Sequence, residues 1–249
     1  MTRPDHLRAL KRVGHKGADA AVPGNTRASF EAALALGVDM IEFDVLRLRD
    51  GRVVLAHDLE DAAGREPMTL EQGLDLFAGS AYAGLELDAD LKLPGYEREV
   101  VEALRSHGLA ERALVCLTWP ESLELLGELA PGLRRGWSLP RARRDWTRVP
   151  LVSPAALAYL RLVRLRLPSR AARMLRAGRC EAVVAHHLLI GARLVAAVHA
   201  AGGLLYAWTV DEADRIEALD ALGVDGVITN DPRLFAERVA VERETDAAA

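Results

Sequence analysis

The feature that most restricts what this chain can fold into is a repeated alternation of short β-type runs with longer helical ones. Strand-like runs fall at residues 12–15, 38–45, 85–92, 113–118, 133–139, 181–186, 204–210 and 225–229. All but the second lead directly into a helical pattern; the second leads into a hairpin and then a helix. Strands that alternate with helical segments in this way are parallel strands joined by crossover helices. Eight such units predict a closed (β/α)8 TIM barrel with a β-hairpin insertion after strand 2. A doubly wound sheet is the rival, but no G-x-G-x-x-G follows the first strand. With 249 residues, half of them hydrophobic, the chain can bury the core of one large α/β domain, spanning about 12–241.

Local signals punctuate the alternation. Thr26 and Thr69 are placed to cap helices at 26–36 and 70–77, Gly37 and Gly223 to stop them, and Pro120 to open one. The insertion is read at 40–58, MIEFDVLRLRDGRVVLAHD. With Asp50-Gly51 as a two-residue turn, Arg49 pairs with Arg52 and Asp44 stands opposite His57. Glu42 and Asp44 share a face because side chains alternate along a strand. Two carboxylates this close are costly unless a cation stands between them. Taken alone, the stretch also admits the lesser reading of a polar hairpin on a solvated edge.

The run LELDADLK at 85–92 alternates strictly, with Glu86, Asp88, Asp90 and Lys92 on one face. That face is either solvated or lines a polar centre such as a barrel mouth. In a barrel the chemistry sits where strands end and βα loops begin. The polar residues there are His15, Lys16, Glu42, Asp44, His57, Asp90, Lys92, Thr118, His186, His187, Trp208, Thr229 and Asn230. This is an acidic cradle with histidines for proton transfer and lysines for an anion. Glu86 and Asp88, deeper on their strand, fit internal hydrogen bonding. His107 and His199 lie in helical patterns, and Cys116 fits the core.

The ordered set V-G-H-K-G, P-G-N-T-x-x-S-F, G-V-D-M-I-E-F-D-V, R-D-G-R-V-V-L-A-H-D, D-L-K, W-T-V-D and G-V-D-G-V-I-T-N resembles the glycerophosphodiester phosphodiesterase family over residues 12–235. The resemblance implies hydrolysis of glycerophosphodiesters to glycerol 3-phosphate and an alcohol at one divalent cation. By position, Glu42, Asp44 and Asp90 would hold the metal, and His15 and His57 would be the acid/base pair. Lys16 and Lys92 would contact the phosphate, Trp208 would wall the substrate, and His187 is a further candidate for contact with it. Carboxylate oxygens are hard ligands and suit Mg²⁺ or Ca²⁺. Three positions depart from the family pattern: Lys16 stands for Arg, Gly24 for Glu and Asp90 for Glu. Only three of the chain's 32 basic residues are lysines, and two of them are Lys16 and Lys92. These departures keep open a second function class, a barrel that binds phosphodiesters or lipid without turnover.

Charge is unevenly distributed. The chain carries a formal −4, yet residues 133–179 hold 13 arginines and one aspartate. This Arg-rich elaboration, about 140–179, reads as an apolar helix broken by arginines at 151–167 and a second short helix opened by Pro168-Ser169. With Trp137, Trp146 and Tyr159 interspersed, it fits peripheral contact with an anionic membrane, which would favour lysophospholipase D- or C-like action on lysolipids. The competing reading is an Arg-rich helix answering the acidic body or a partner subunit. No nucleic-acid partner is implied. Two cysteines in apolar runs, no apolar leader and no run of membrane-spanning length predict a cytoplasmic protein, peripheral on the inner membrane face if the basic segment docks.

Overall fold

The computed structural model describes residues 9–140 and 154–235. Strand β1 (Lys11–Gly14) pairs in parallel with β2 (Met40–Arg47) on one side and with β9 (Gly226–Thr229) on the other. From β2 the ring continues through β4 (Glu86–Leu91), β5 (Ala113–Leu117), β6 (Arg134–Leu139), β7 (Ala182–His186) and β8 (Leu204–Trp208) to β9. The eight parallel strands therefore close on themselves, and the expected (β/α)8 barrel is present. Strand β3 (Val53–Val54) lies antiparallel on the part of β2 that overhangs β1, at Leu46 and Arg47.

Alternation along the strands separates two interiors. Val13, Met40, Leu114, Cys116, Ala182, Val184, Tyr206 and Ile228 fill the barrel. Residues of opposite parity, such as Phe43, Leu87, Val115, Trp137 and Leu205, pack outward beneath the helices. The N-terminal mouth is closed by charge. Glu86 takes the Lys11 ammonium on one oxygen and Arg134 Nη1 on the other, the latter at 2.5 Å. Burial opposes the ionised carboxyl, but these two cations hold Glu86 below its ordinary range.

The helices follow their capping residues. Helix α1 (Arg27–Ala35) starts at Thr26, whose side chain accepts from Ser29 N at 3.2 Å. Next along the chain is α2 (Leu59–Gly64), capped by Asp58, a helix with no apolar period to announce it. Helix α3 (Leu70–Ala78) has a full capping box between Thr69 and Gln72. Around the rest of the barrel run α4 (Glu97–Ser106), α5 (Pro120–Leu129), α6 (Pro154–Arg176), α7 (Ala192–His199) and α8 (Ala213–Leu222). Gly223 ends α8 in the left-handed conformation.

Two expectations are corrected. The hairpin turn has three residues rather than two: Leu48 N donates to Arg52 O at 2.8 Å, Gly51 N closes onto Leu48 O, and Gly51 takes φ +92°. A left-handed glycine in a three-residue loop is the bulged hairpin form, and it slips the register by one. Leu46 faces Val54, so the same register would set Asp44 against Ala56 rather than His57. The basic segment likewise forms one helix, α6, with Pro168 inside it, instead of two. Trp146 and residues 141–153 lie outside the described residues, as does the chain beyond 235.

Gly136 sits directly beside Cys116 on the neighbouring strand, and a Cβ there would lie 2.3 Å from Cys116 Sγ. Gly136→Ala is expected to cost about 1–3 kcal/mol by overpacking the barrel. Cys116→Ala in the same chain should recover most of it, since the cysteine Cβ is 3.5 Å away. Urea midpoints of the single and double variants check this.

Candidate active site

The C-terminal mouth is assembled from the loop after β1 inward. Lys16 and Gly17 both take positive φ, +51° and +89°, so the chain reverses immediately after His15. The turn is held from two sides. Lys16 N donates to Glu42 Oε2 at 2.8 Å, and Ser29 of α1 donates its hydroxyl to Lys16 O while accepting from Ala18 N. Asn25, also left-handed, reaches β2. Its Nδ2 donates to Asp44 Oδ2 at 2.8 Å, and its Oδ1 accepts from Asp44 N at 3.0 Å.

Glu42 and Asp44 of β2 and Asp90 of β4 bring one oxygen each to within 4.8 Å of one another. Strand register requires this, because Asp44 and Asp90 are direct partners across the β2–β4 pair. Lys92, just past β4, sets its ammonium against Asp44 Oδ1 and Asp90 Oδ2. Burial and the charge of Asp44 push the Glu42 carboxyl well above its usual range. Burial would raise Asp44 as well, but Lys92, His57 and His15 outweigh it and hold that carboxyl low. Burial lowers the Lys92 ammonium, and the surrounding carboxylates more than reverse this. One layer down, Asp88 is buried beside Cys116 and is pushed up to about 7, chiefly by burial. Three hard oxygens converging where one carboxyl resists ionisation fit a divalent cation of the Mg²⁺ or Ca²⁺ kind. No soft thiolate enters the set: Cys116 and Cys180 are free, buried, and held protonated by burial.

His15 is half-buried, and its Nε2 stands 3.8 Å from Glu42 Oε2. Its Nδ1 meets Asn230 Oδ1 at 2.5 Å, while Asn230 Nδ2 donates to Asp211 Oδ2 at 2.7 Å. Because the amide nitrogen faces Asp211, the amide oxygen faces His15, and Nδ1 carries the imidazole proton. Burial first, then nearby Lys16, lowers the pKa of His15 against the pull of Asp44. A neutral ring with a bare Nε2 turned to the carboxylates is the result.

His57 follows β3 and is 57% exposed at the rim. Its backbone N–H donates to Asp61 Oδ2 at 3.0 Å, and its Nδ1 meets Asp58 Oδ2 at 3.0 Å. Arg65 then ties Asp61 to Leu55 O, so α2 and its cap fix the loop that carries His57. Across the mouth, His186 has the inward parity of Val184; its ring lies tilted against His187 at 4.6 Å and edge-on to Trp208 at 5.3 Å. Trp208 Nε1 donates to Val184 O at 3.2 Å. His187 turns instead toward Arg215, whose Nη2 donates to His187 O at 2.6 Å. The Lys16 ammonium is engaged with Asp19 at 2.6 Å. The contacts of Asn25, Asp211, Asp61, Arg65 and Asp19 were not foreseen. Asn25 and Asp211 do fall inside P-G-N-T and W-T-V-D, which is where a signal for them lay.

The profile of the glycerophosphoryl diester phosphodiesterase family matches residues 15–74 and 85–234. The glycerophosphodiester phosphodiesterase of Caldanaerobacter subterraneus subsp. tengcongensis is 28% identical over 261 residues, covering 91% of this chain and 96% of that protein. The Bacillus subtilis glycerophosphodiester phosphodiesterase is 26% identical over 268 residues, covering 90% and 84%. Among solved structures, an Oleispira antarctica phosphodiesterase in complex with the product sn-glycerol-3-phosphate superposes with a TM-score of 0.68 at 21% identity, covering 94% of this chain and 97% of that one. A glycerophosphodiester phosphodiesterase from Parabacteroides distasonis superposes with a TM-score of 0.69 at 19% identity, covering 94% and 98%. The chain belongs to the glycerophosphoryl diester phosphodiesterase family of phosphodiester hydrolases.

The raised Glu42 carboxyl has a stability consequence. A carboxyl raised in the fold supports folding below its unfolded pKa, near 4.5, and that support is lost as pH rises. Glu42→Gln is therefore expected to raise the melting temperature at pH 7–8 in chelator, by roughly 2–4 °C per kcal/mol relieved. The same variant should lose most of the stabilisation that Mg²⁺ or Ca²⁺ gives the wild type. Thermal melts with and without metal check both.

Proposed function

We propose that the protein hydrolyses glycerophosphodiesters to glycerol 3-phosphate and an alcohol, with Glu42, Asp44 and Asp90 holding one divalent cation and His15 and His57 exchanging protons. The observation that carries this reading is the convergence of the three carboxylates within 4.8 Å, beside Lys92 and the bare Nε2 of His15. The product bound to the Oleispira antarctica phosphodiesterase supports the substrate class. A cation at that site would polarise a phosphoryl oxygen and lower the pKa of a bound hydroxyl.

The chain's own residues divide the remaining work. His15, neutral and with its Nδ1 proton fixed on Asn230, accepts the proton of the attacking hydroxyl through Nε2. The attacker is water or a hydroxyl of the substrate's own glycerol. His57, at the open rim, returns a proton to the leaving alkoxide oxygen. Lys92 donates to a phosphate oxygen, and Trp208 with His186 walls the side away from the hairpin. The two buried free thiols support a reducing, cytoplasmic setting.

Turnover of glycerophosphocholine, with Mg²⁺, Ca²⁺ and chelator compared, tests the reading. His15→Ala and His57→Ala are each expected to lower kcat by roughly 10²–10⁴. Activity indifferent to chelator, or to both replacements, refutes the mechanism. A stable fold that binds phosphodiesters without turning them over would favour the binding-protein reading.

A second reading, action on lysolipids at a membrane surface, is favoured by α6. No acidic residue occurs between 154 and 176, and Leu162 and Leu165 are 42% and 63% exposed among exposed Arg161, Arg164 and Arg166. The opposite face, with Leu167, Ala171 and Met174, is buried. Trp137 contributes nothing to the exposed face; it is buried in β6, with the Arg170 guanidinium 4.7 Å over its ring. Among the described residues no helix is long and apolar enough to cross a membrane, so the contact would be peripheral. Sedimentation with anionic vesicles at low salt should carry the protein down, and Leu165→Glu should weaken binding about fivefold or more. No sedimentation with the wild type sinks this reading.

A further inference from the structure

Beyond the carboxylate cluster, the loop after β1 contains a second arrangement, formed by Lys16, Asp19 and Gly24. Asp19 Oδ2 meets the Lys16 ammonium at 2.6 Å, and Asp19 Oδ1 accepts from Gly24 N at 2.7 Å. Both ends of the carboxylate are thus committed, one to a backbone N–H and one to a cation. Gly24 is required by this packing. A Cβ there would lie 2.6 Å from Asp19 Oδ1 and 2.6 Å from Lys16 Cβ. The two departures from the family pattern in this loop, Lys16 for Arg and Gly24 for Glu, therefore meet at one side chain. The Asp19 carboxylate occupies space that a side chain at 24 would need.

Lys16 lies at the edge of the candidate site, where Asp44 and Glu42 act on its charge and it acts in turn on His15. A free ammonium there would add one positive charge to a site already containing Lys92. A phosphodiester carries one negative charge, whereas the monoester product carries close to two at neutral pH. Extra positive charge therefore favours product over substrate, since the attraction scales with the ligand's charge.

We propose that Asp19 is a specificity-determining positioning residue: by holding and neutralising Lys16 it biases the site toward the singly charged diester and against retention of the doubly charged monoester. It does so without touching the reacting atoms. The inference rests on the proposed phosphodiesterase activity, and the closing experiment separates the two.

Asp19→Asn retains an oxygen for Gly24 N but removes the charge. It is expected to lower the inhibition constant of glycerol 3-phosphate about five- to tenfold, while the KM for glycerophosphocholine moves less than about threefold. In a Lys16→Met background the same change should leave the ratio of the two constants unaltered, because the charge that Asp19 restrains is gone. Thermal melts confirm that each variant is folded. An Asp19→Asn enzyme whose two constants shift equally, or whose effect persists without Lys16, overturns the proposal and reduces Asp19 to a loop brace. If the wild type turns over no glycerophosphodiester, the activity reading fails instead. Calorimetry with glycerol 3-phosphate still reads the clamp then: tighter binding to Asp19→Asn supports it, and unchanged or weaker binding overturns it.

Discussion

The structure depends on a concentration of negative charge inside the C-terminal half of the barrel. Glu42, Asp44 and Asp88 are buried and Asp90 is half-buried, all on the inner face of β2 and β4. Burying ionised carboxylates is expensive unless cations and donors surround them. Much of the local architecture answers that cost. Lys92 is aimed at Asp44 and Asp90, Asn25 adopts a left-handed backbone to bind Asp44 twice, and the backbone N–H of Lys16 is given to Glu42. Protonation and cation binding are the remaining ways to relieve the cluster, and burial together with the charge of Asp44 pushes the Glu42 carboxyl up.

The barrel was legible because its signal is periodic. Parallel strands beneath helices produce apolar runs at a repeating interval, and caps such as Thr26, Thr69 and Gly223 mark helix boundaries by local chemistry alone. The facing of Glu42, Asp44 and Asp90 was legible for the same reason, since alternation puts them on the inner face and strand pairing brings them together. What failed was geometry that depends on a single residue. Asp50-Gly51 reads as a two-residue turn, yet the left-handed Gly51 closes a three-residue loop. Helix α2 is too short and polar to show a period, although it fixes His57 through Asp58 and Asp61. Pro168 reads as a break, but α6 runs through it.

The contacts around His15 were hidden for another reason. Its proton is located by Asn230 and Asp211, which come from beyond β8 and β9, nearly the whole chain away. No local pattern records a hydrogen bond between the two ends of a sequence; only closure of β9 against β1 creates it. Asp19 is a similar case. Its meaning emerges only beside the space at Gly24 and the ammonium of Lys16.

The charged knot of Lys11, Glu86 and Arg134 at the opposite end has its own consequence. It stoppers the barrel from below, with Tyr206 and Cys116 packed above it in the interior. The carboxylates of Glu42, Asp44 and Asp90 therefore face the C-terminal mouth, with packed side chains between them and the opposite end. Under the proposed function, a phosphate and its immediate neighbours would meet the carboxylates and Lys92, while the remainder of the molecule would meet the rim that carries His57 and Trp208.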